Sequence, residues 1–293
     1  VSRRGVEIVL RGVDRAFGSH EVLTGIELTV GHGEVVALLG ASGSGKSTLL
    51  RLAAGLDRPT AGEVRIDGEP LRGIDSRTAF VFQEARLLPW RSLAGNVALG
   101  LPCNTEKTAG RARVQELLTQ VGLDGFAEHR PRGVSGGMAQ RTALARALAR
   151  DPGALLLDEP FGALDALTRL RMQNLLQDLL DEFPTSVLLV THDVEEALLL
   201  ADRIALLGGA TMDRGAHFVH ELTVPWPRRR DRGDPRLAEL RLDLLRRLGV
   251  DVHPPTTQPT ITEENRHDAP SNPARPARHG RTAVDRLRVG GQR

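Results

Sequence analysis

Gly40-Ala41-Ser42-Gly43-Ser44-Gly45-Lys46-Ser47-Thr48 decides how this chain is read. Its spacing is glycine, four residues, glycine, lysine and a hydroxyl residue, the pattern of a loop that cradles phosphates. Successive backbone N–H groups turn inward around an anion only where residues are free to take unusual dihedrals, which Gly43 and Gly45 supply. The run Glu34-Val35-Val36-Ala37-Leu38-Leu39 before the loop reads as a buried strand. The stretch from Ser47 to Leu56 after it reads as a helix, its N-terminal dipole toward the phosphates. In that setting Lys46 reaches the β- and γ-phosphates as a point charge, Ser47 offers its hydroxyl to Mg²⁺, and Thr48 supports the α-phosphate. Lysine occurs only at Lys46 and Lys107; arginine replaces it everywhere else. A compact ammonium and a planar guanidinium are not interchangeable at a phosphate site.

Length and charge set the outer limits. At 293 residues the chain has room for one large α/β domain with an appendage, or two modest domains. The single cysteine, Cys103, excludes an intramolecular disulfide and a cysteine-based zinc site, and suits a reducing cytoplasm. Val1-Ser2-Arg3-Arg4 leads directly into a strand-like run without a signal pattern, and no apolar run is long enough to span a bilayer. The net charge is +2, but from Pro254 to Arg293 seven arginines face four acids, leaving 32 basic and 33 acidic residues elsewhere. A basic nucleic-acid surface on the body is therefore not expected. Residues 251–293, rich in proline and arginine, read as a disordered tail, either a solvated extension or a contact for anionic lipid or RNA.

Along the chain, Val6 to Leu10, Val13 to Phe17 and Gly25 to Val30 read as short strands ahead of the loop. Phe17 is either the aromatic against which a base stacks or a core residue. Glu63 to Ile66 and Thr78 to Phe82 are further strands, and Gln83 follows the second, where its amide meets Mg²⁺ or an attacking water. The run Ala85-Arg86-Leu87-Leu88-Pro89-Trp90-Arg91 continues no helix, and its apolar groups imply either a partner groove or simple packing. Ala109 to Val121 and Gly136 to Arg150 have helical periodicity. Ser135 is placed to cap the second, and Gly136 and Gly137 leave its first N–H groups uncovered, an anion site without a lysine. Ala154-Leu155-Leu156-Leu157-Asp158-Glu159 reads as a central parallel strand ending in two carboxylates, either Asp158 for Mg²⁺ and Glu159 for the attacking water or a pair that caps a helix or meets arginines. A helix from Asp165 to Glu182 and a buried strand from Ser186 to Thr191 come next, and His192 follows directly. Val194 to Ala201 is read as a helix, Arg203 to Leu207 as a last strand, and Pro235 to Leu248 as a helix with a solvated arginine face.

Taken together, Phe17, the glycine loop, Gln83, Val134-Ser135-Gly136-Gly137-Met138-Ala139-Gln140-Arg141, Leu157-Asp158-Glu159-Pro160, Ala163-Leu164-Asp165 and His192 carry a resemblance. The chain resembles the nucleotide-binding subunit of ATP-binding cassette (ABC) transporters over residues 5–250. The resemblance implies an α/β fold with a RecA-like P-loop NTPase core, an antiparallel β-subdomain and an inserted α-helical subdomain at about 84–150. It implies ATP and Mg²⁺ as ligands. Glu159, His192, Lys46 and Gln83 would be catalytic, and Ser47, Gln83 and Asp158 would hold the metal. Phe17, Gly40 to Thr48, Ser135, Gly136, Gly137 and Asp165 would contact nucleotide. It further implies a head-to-tail homodimer, in which Ser135-Gly136-Gly137 of one subunit closes on ATP held by Lys46 of the other. Transmembrane permease subunits and, indirectly, a periplasmic or lipid-anchored solute-binding protein would be its partners. It would act as a peripheral protein on the cytoplasmic side of the cell membrane, with no nucleic acid involved. Val134, Met138 and Phe17 stand where leucine, glutamine and tyrosine are common in the family. The segments 82–90, 165–169 and 224–248 look like the importer group for nitrate, taurine and sulfonates, closest to its aliphatic sulfonate branch.

Overall fold

The structure, a computed structural model, describes residues 5–182, 184–211 and 214–250. The opening Val1 to Arg4 and the proline- and arginine-rich stretch 251–293 lie outside the described residues. In chain order the elements are β1 (Ile8–Phe17), β2 (His20–Val30), β3 (Val35–Gly40), α1 (Lys46–Ala53), β4 (Ala61–Ile66), β5 (Glu69–Pro70) and β6 (Thr78–Val81). Three helices come next, α2 (Leu93–Val97), α3 (Lys107–Gln120) and α4 (Gly136–Ala149). The chain continues through β7 (Ala154–Asp158), α5 (Ala166–Glu182), β8 (Ser186–Val190), α6 (Val194–Leu200), β9 (Arg203–Gly208), β10 (His217–Thr223) and α7 (Pro235–Arg247).

The main sheet runs β10-β9-β3-β8-β7-β6, parallel throughout except for the antiparallel edge strand β10. Its inner strands are apolar without alternation because both faces are covered. Val35, Ala37, Leu39, Leu155, Leu157, Val187 and Leu189 point into one core with α3 to α7. Their neighbours Val36, Leu38, Leu156, Leu188 and Val190 point into a second core, shared with α1 and the small sheet. The period of two along each strand thus divides one apolar run between two cores. The small antiparallel sheet has the order β2-β1-β4-β5. The break that the sequence suggests between Leu10 and Val13 is a bulge inside one strand, with Gly12 at φ +54°.

Parallel strands place their C-terminal ends on one side of the sheet, and loops emerging there form the crevice where α/β proteins bind ligands. Four of the singled-out segments emerge there: the glycine loop after β3, Gln83 after β6, Glu159 after β7 and His192 after β8. The helices between β6 and β7 sit to one side, with α2 and α3 packed on α4. Helix α7 keeps its arginines Arg236, Arg241, Arg246 and Arg247 exposed, while Leu237 and Leu244 on its other side are buried. Arg230, just before it, donates to the carbonyls of Leu198 (2.6 Å) and Ala201 (2.7 Å), covering the otherwise unpaired C-terminal end of α6. No helix among the described residues is long and apolar enough to cross a membrane.

Candidate nucleotide site

Loop geometry follows from its glycines. Gly43 and Gly45 adopt φ +79° and +93°, a region closed to most side chains. A Cβ on Gly40 would lie 2.4 Å from the Leu207 carbonyl oxygen of the adjacent strand, so only glycine lets β3 end there. Gly45 caps α1 without a side chain to give, leaving the first-turn N–H groups with no intrahelical or side-chain acceptor. The Ser44 hydroxyl is likewise buried without a partner. An open cleft of ≈ 470 Å³ lies over these groups, lined by Val22, Ser42 to Thr48, Gln83, Glu159 and His192. Unpaired donors around an open cleft suit an anion.

Lys46 is 7% exposed, and its ammonium donates to the carbonyls of Gly40 and Ala41, both at 2.9 Å. Burial pushes it below the ordinary lysine range, while Glu159 and Asp158 pull the other way. Ser47 donates to Asp158 Oδ1 at 2.8 Å, beneath the cleft. Burial raises the Asp158 carboxyl above the usual range, opposed by the Ser47 hydrogen bond and the charges of Arg51 and Lys46. A hydroxyl, a carboxylate and the amide oxygen of Gln83 form a hard oxygen donor set that fits Mg²⁺. Among the described residues no cluster of three or more His, Cys, Asp or Glu forms a metal cage, so phosphate oxygens would have to complete that set.

Glu159 meets Gln83 and His192 on the cleft. Its Oε2 accepts from Gln83 Nε2 at 3.1 Å and lies 3.3 Å from His192 Nδ1. Its backbone is left-handed, φ +45°, held by its N–H on the Val190 carbonyl (2.9 Å) and its carbonyl oxygen accepting from Gly162 N–H (3.2 Å). That conformation costs about 1–3 kcal/mol for a non-glycine residue. Gln83 is fixed from behind: Gln140 of α4 donates to the Phe82 carbonyl at 2.9 Å. The following run is scaffolded by buried Asn96, which accepts from Leu88 N–H and donates to the Leu88 and Ser92 carbonyls. Trp90 nevertheless remains 67% exposed.

Phe17 is 52% exposed, so the core alternative fails. The Arg15 guanidinium covers the ring, 4.1 Å from its centroid, and is held by Asp57 at 2.9 Å. The ring belongs to the β1–β2 hairpin, whose Val22 lines the cleft, but does not line the cleft itself. Ser135, Gly136, Gly137 and Asp165 are also absent from its lining. Ser135 is exposed and caps α4 by accepting from Met138 N–H at 3.2 Å. Asp165 is exposed; the backbone N–H of Thr168, donating at 3.0 Å, holds its carboxyl below the usual range. Sequence reading missed Val22, which reaches the cleft only because β2 packs against the loop at Gly45. It also missed Thr191 and Glu196, a buried pair bonded at 2.7 Å next to His192, for which the sequence carries no signal that separates Glu196 from Glu195.

A doubly covered parallel sheet with a glycine loop, a buried lysine and strand-end carboxylates defines an α/β P-loop nucleotide-binding protein. The comparisons are specific. The ABC transporter family model matches residues 23–162. Aliphatic sulfonates import ATP-binding protein SsuB 1 of Xanthomonas axonopodis pv. citri is 49% identical over 250 residues, 85% of this chain and 98% of that protein. A protein of the same name from Streptomyces avermitilis is 51% identical over 82% of this chain and 86% of its own length. Among solved structures, the dimeric ATP-binding cassette MJ0796 bound to ADP and phosphate superposes with a TM-score of 0.66 at 32% identity, covering 75% of this chain and 100% of that one. A second dimeric structure of that cassette gives 0.68 at 34% identity with the same coverage. The chain belongs to the ABC transporter family of ATP-binding proteins.

Proposed function

We propose that this chain is the ATP-hydrolysing subunit of an importer for aliphatic sulfonates, working as a dimer on a separate membrane permease. The observation that carries the ATPase is the meeting of Lys46, Ser47, Gln83, Glu159 and His192 on one cleft, above Asp158. The solute rests on likeness to relatives named for sulfonate import, which extends over 98% of the first. The solute is therefore argued from the relatives and not from the cleft, since a fold does not by itself fix function.

In this reading the first-turn N–H groups of α1 and the Lys46 ammonium hold the phosphates, and Phe17 stacks on the base. Ser47, Asp158 and Gln83 would hold Mg²⁺, which when bound supplies positive charge to the phosphate oxygens. Glu159 orients a water and takes its proton as the water oxygen bonds the γ-phosphorus and the bond to the β–γ bridging oxygen breaks, giving ADP and inorganic phosphate. Gln83 and His192 fix Glu159 from two sides. The separate Ser135-Gly136-Gly137 surface and Asp165 complete the cleft of an inverted second copy, supplying an oriented helix end to the γ-phosphate. The stretch 84–150 serves as a helical subdomain, and exposed Trp90 marks its contact with the permease. The chain would thus sit peripherally on the cytoplasmic side of the cell membrane, served indirectly by a periplasmic or lipid-anchored solute-binding protein.

A deletion strain tests the reading. It should fail to grow with an alkanesulfonate as sole sulfur source and grow normally on sulfate. Normal growth on the sulfonate, with loss on nitrate, would overturn the solute; a purified chain that hydrolyses no ATP would overturn the enzyme.

A further inference from the structure

Behind His192 lies a polar arrangement that the reaction as described does not use. Glu196 is 5% exposed in an otherwise apolar face of α6. Its Oε2 accepts the Thr191 hydroxyl at 2.7 Å, and the same hydroxyl oxygen accepts from Asp193 N–H at 3.0 Å. Thr191 and Asp193 flank His192, so two linked bonds clamp the loop on both sides of the imidazole. The other carboxylate oxygen, Oε1, is buried with no hydrogen-bond partner, as is Arg169 Nε. Both residues border a cavity of ≈ 140 Å³ whose other polar walls are Gln173, Asp193, Glu195 and Arg232. An apolar residue of similar size would fill this position without leaving a buried oxygen unpaired, an arrangement that costs stability. The Thr191 bond is what the carboxylate contributes in return.

We propose that Glu196 is a positioning residue for hydrolysis: through Thr191 it holds the loop that sets His192 against Glu159. This rests on the ATPase reading and adds a residue remote from the cleft to it. The groups facing Glu196 are Asp193 and Glu195 on its own segment, Arg169 on α5, Glu159 after β7, and Arg232 ahead of α7. Burial, foremost, lifts the Glu196 carboxyl to about 7, and the Thr191 hydrogen bond opposes that rise. An ionised carboxylate is the stronger acceptor. The clamp therefore tightens as pH rises through neutrality.

Steady-state ATP hydrolysis by the full-length chain tests this with Thr191→Val, Thr191→Ser, Glu196→Gln and the double variant Thr191→Val/Glu196→Gln. Thr191→Val should lower kcat about tenfold or more with KM for ATP within about twofold, since the phosphate cradle is untouched. Thr191→Ser should restore it. Glu196→Gln should abolish the part of the rise in kcat across pH 6–8 that the wild type owes to this carboxyl. The double variant should be no slower than Thr191→Val alone, as expected of one shared bond. Unchanged kcat in Thr191→Val, or losses that add in the double variant, would overturn the inference while leaving the ATPase standing. Parallel pH profiles for wild type and Glu196→Gln would do the same. A wild type without ATPase activity would overturn both.

Discussion

Glu196→Gln should change how stability depends on pH, independently of any nucleotide. In the folded chain the carboxyl titrates near 7, against an ordinary value of 4.5. Between those values the native state keeps a proton that the unfolded chain has released, so stability falls as pH rises through this window and is flat on either side of it. At about 1.36 kcal/mol per unit, the whole window is worth about 3 kcal/mol. Near-complete burial, 5% exposure, leaves little solvent screening to reduce that figure. Glutamine carries no titrating proton, so the variant should gain about 3 kcal/mol relative to the wild type between pH 4.5 and pH 7.5, whatever constant offset the amide introduces. Groups common to both proteins cancel in the difference. Urea unfolding at a series of pH values, read by the fluorescence of Trp90 and Trp226, measures it. The variant's midpoint should rise against the wild type's by about 1 M or more across the series. A difference that stays constant, or that moves in favour of the wild type at alkaline pH, would refute the burial argument.

Other outcomes are expected from the cleft itself. Lys46→Ala should remove nucleotide affinity, because a buried ammonium on the phosphate loop is replaced by nothing; normal binding of a fluorescent ATP analogue would contradict the cradle. Glu159→Gln should keep that binding and lower turnover by about 10²–10⁴, and unchanged phosphate release would remove Glu159 from its role. Gly40→Ala should destabilise the fold by about 2–3 kcal/mol, since its methyl carbon would lie 2.4 Å from the Leu207 carbonyl oxygen of a paired strand. A thermal melt coincident with wild type would show that β3 and β9 can part there.

The glycine loop and the strand-end residues were legible because phosphate binding needs fixed spacing along one stretch of chain. The buried strands were legible because both faces of the sheet are covered, so their residues form unbroken apolar runs. Strand β10 was not, for it is an edge strand with no buried residue, and its half-buried positions Phe218, His220 and Leu222 are not uniformly apolar. Helix α2 is five residues long and depends on Asn96 and neighbouring loops rather than on periodicity. The assignment of Ser135, Gly136 and Gly137 to the nucleotide of a second copy came from the family resemblance, and in the described chain these residues do not line the cleft. Glu196 escaped because an acid in the first turn of a helix is ordinary there, where the dipole favours it. Only the packing of α6 reveals that Glu195 faces water and Glu196 does not.

The left-handed backbone at Glu159 bears on how damage to this protein would be noticed. Glycine or asparagine relaxes more readily into that conformation, so replacements of Glu159 that remove the base proposed above should fold at least as well as the parent and accumulate to normal levels. Screens that score abundance or melting would pass such chains as healthy. In a cell carrying both versions, well-folded inert copies would compete for the same permease seats, and one defective allele would poison the pool.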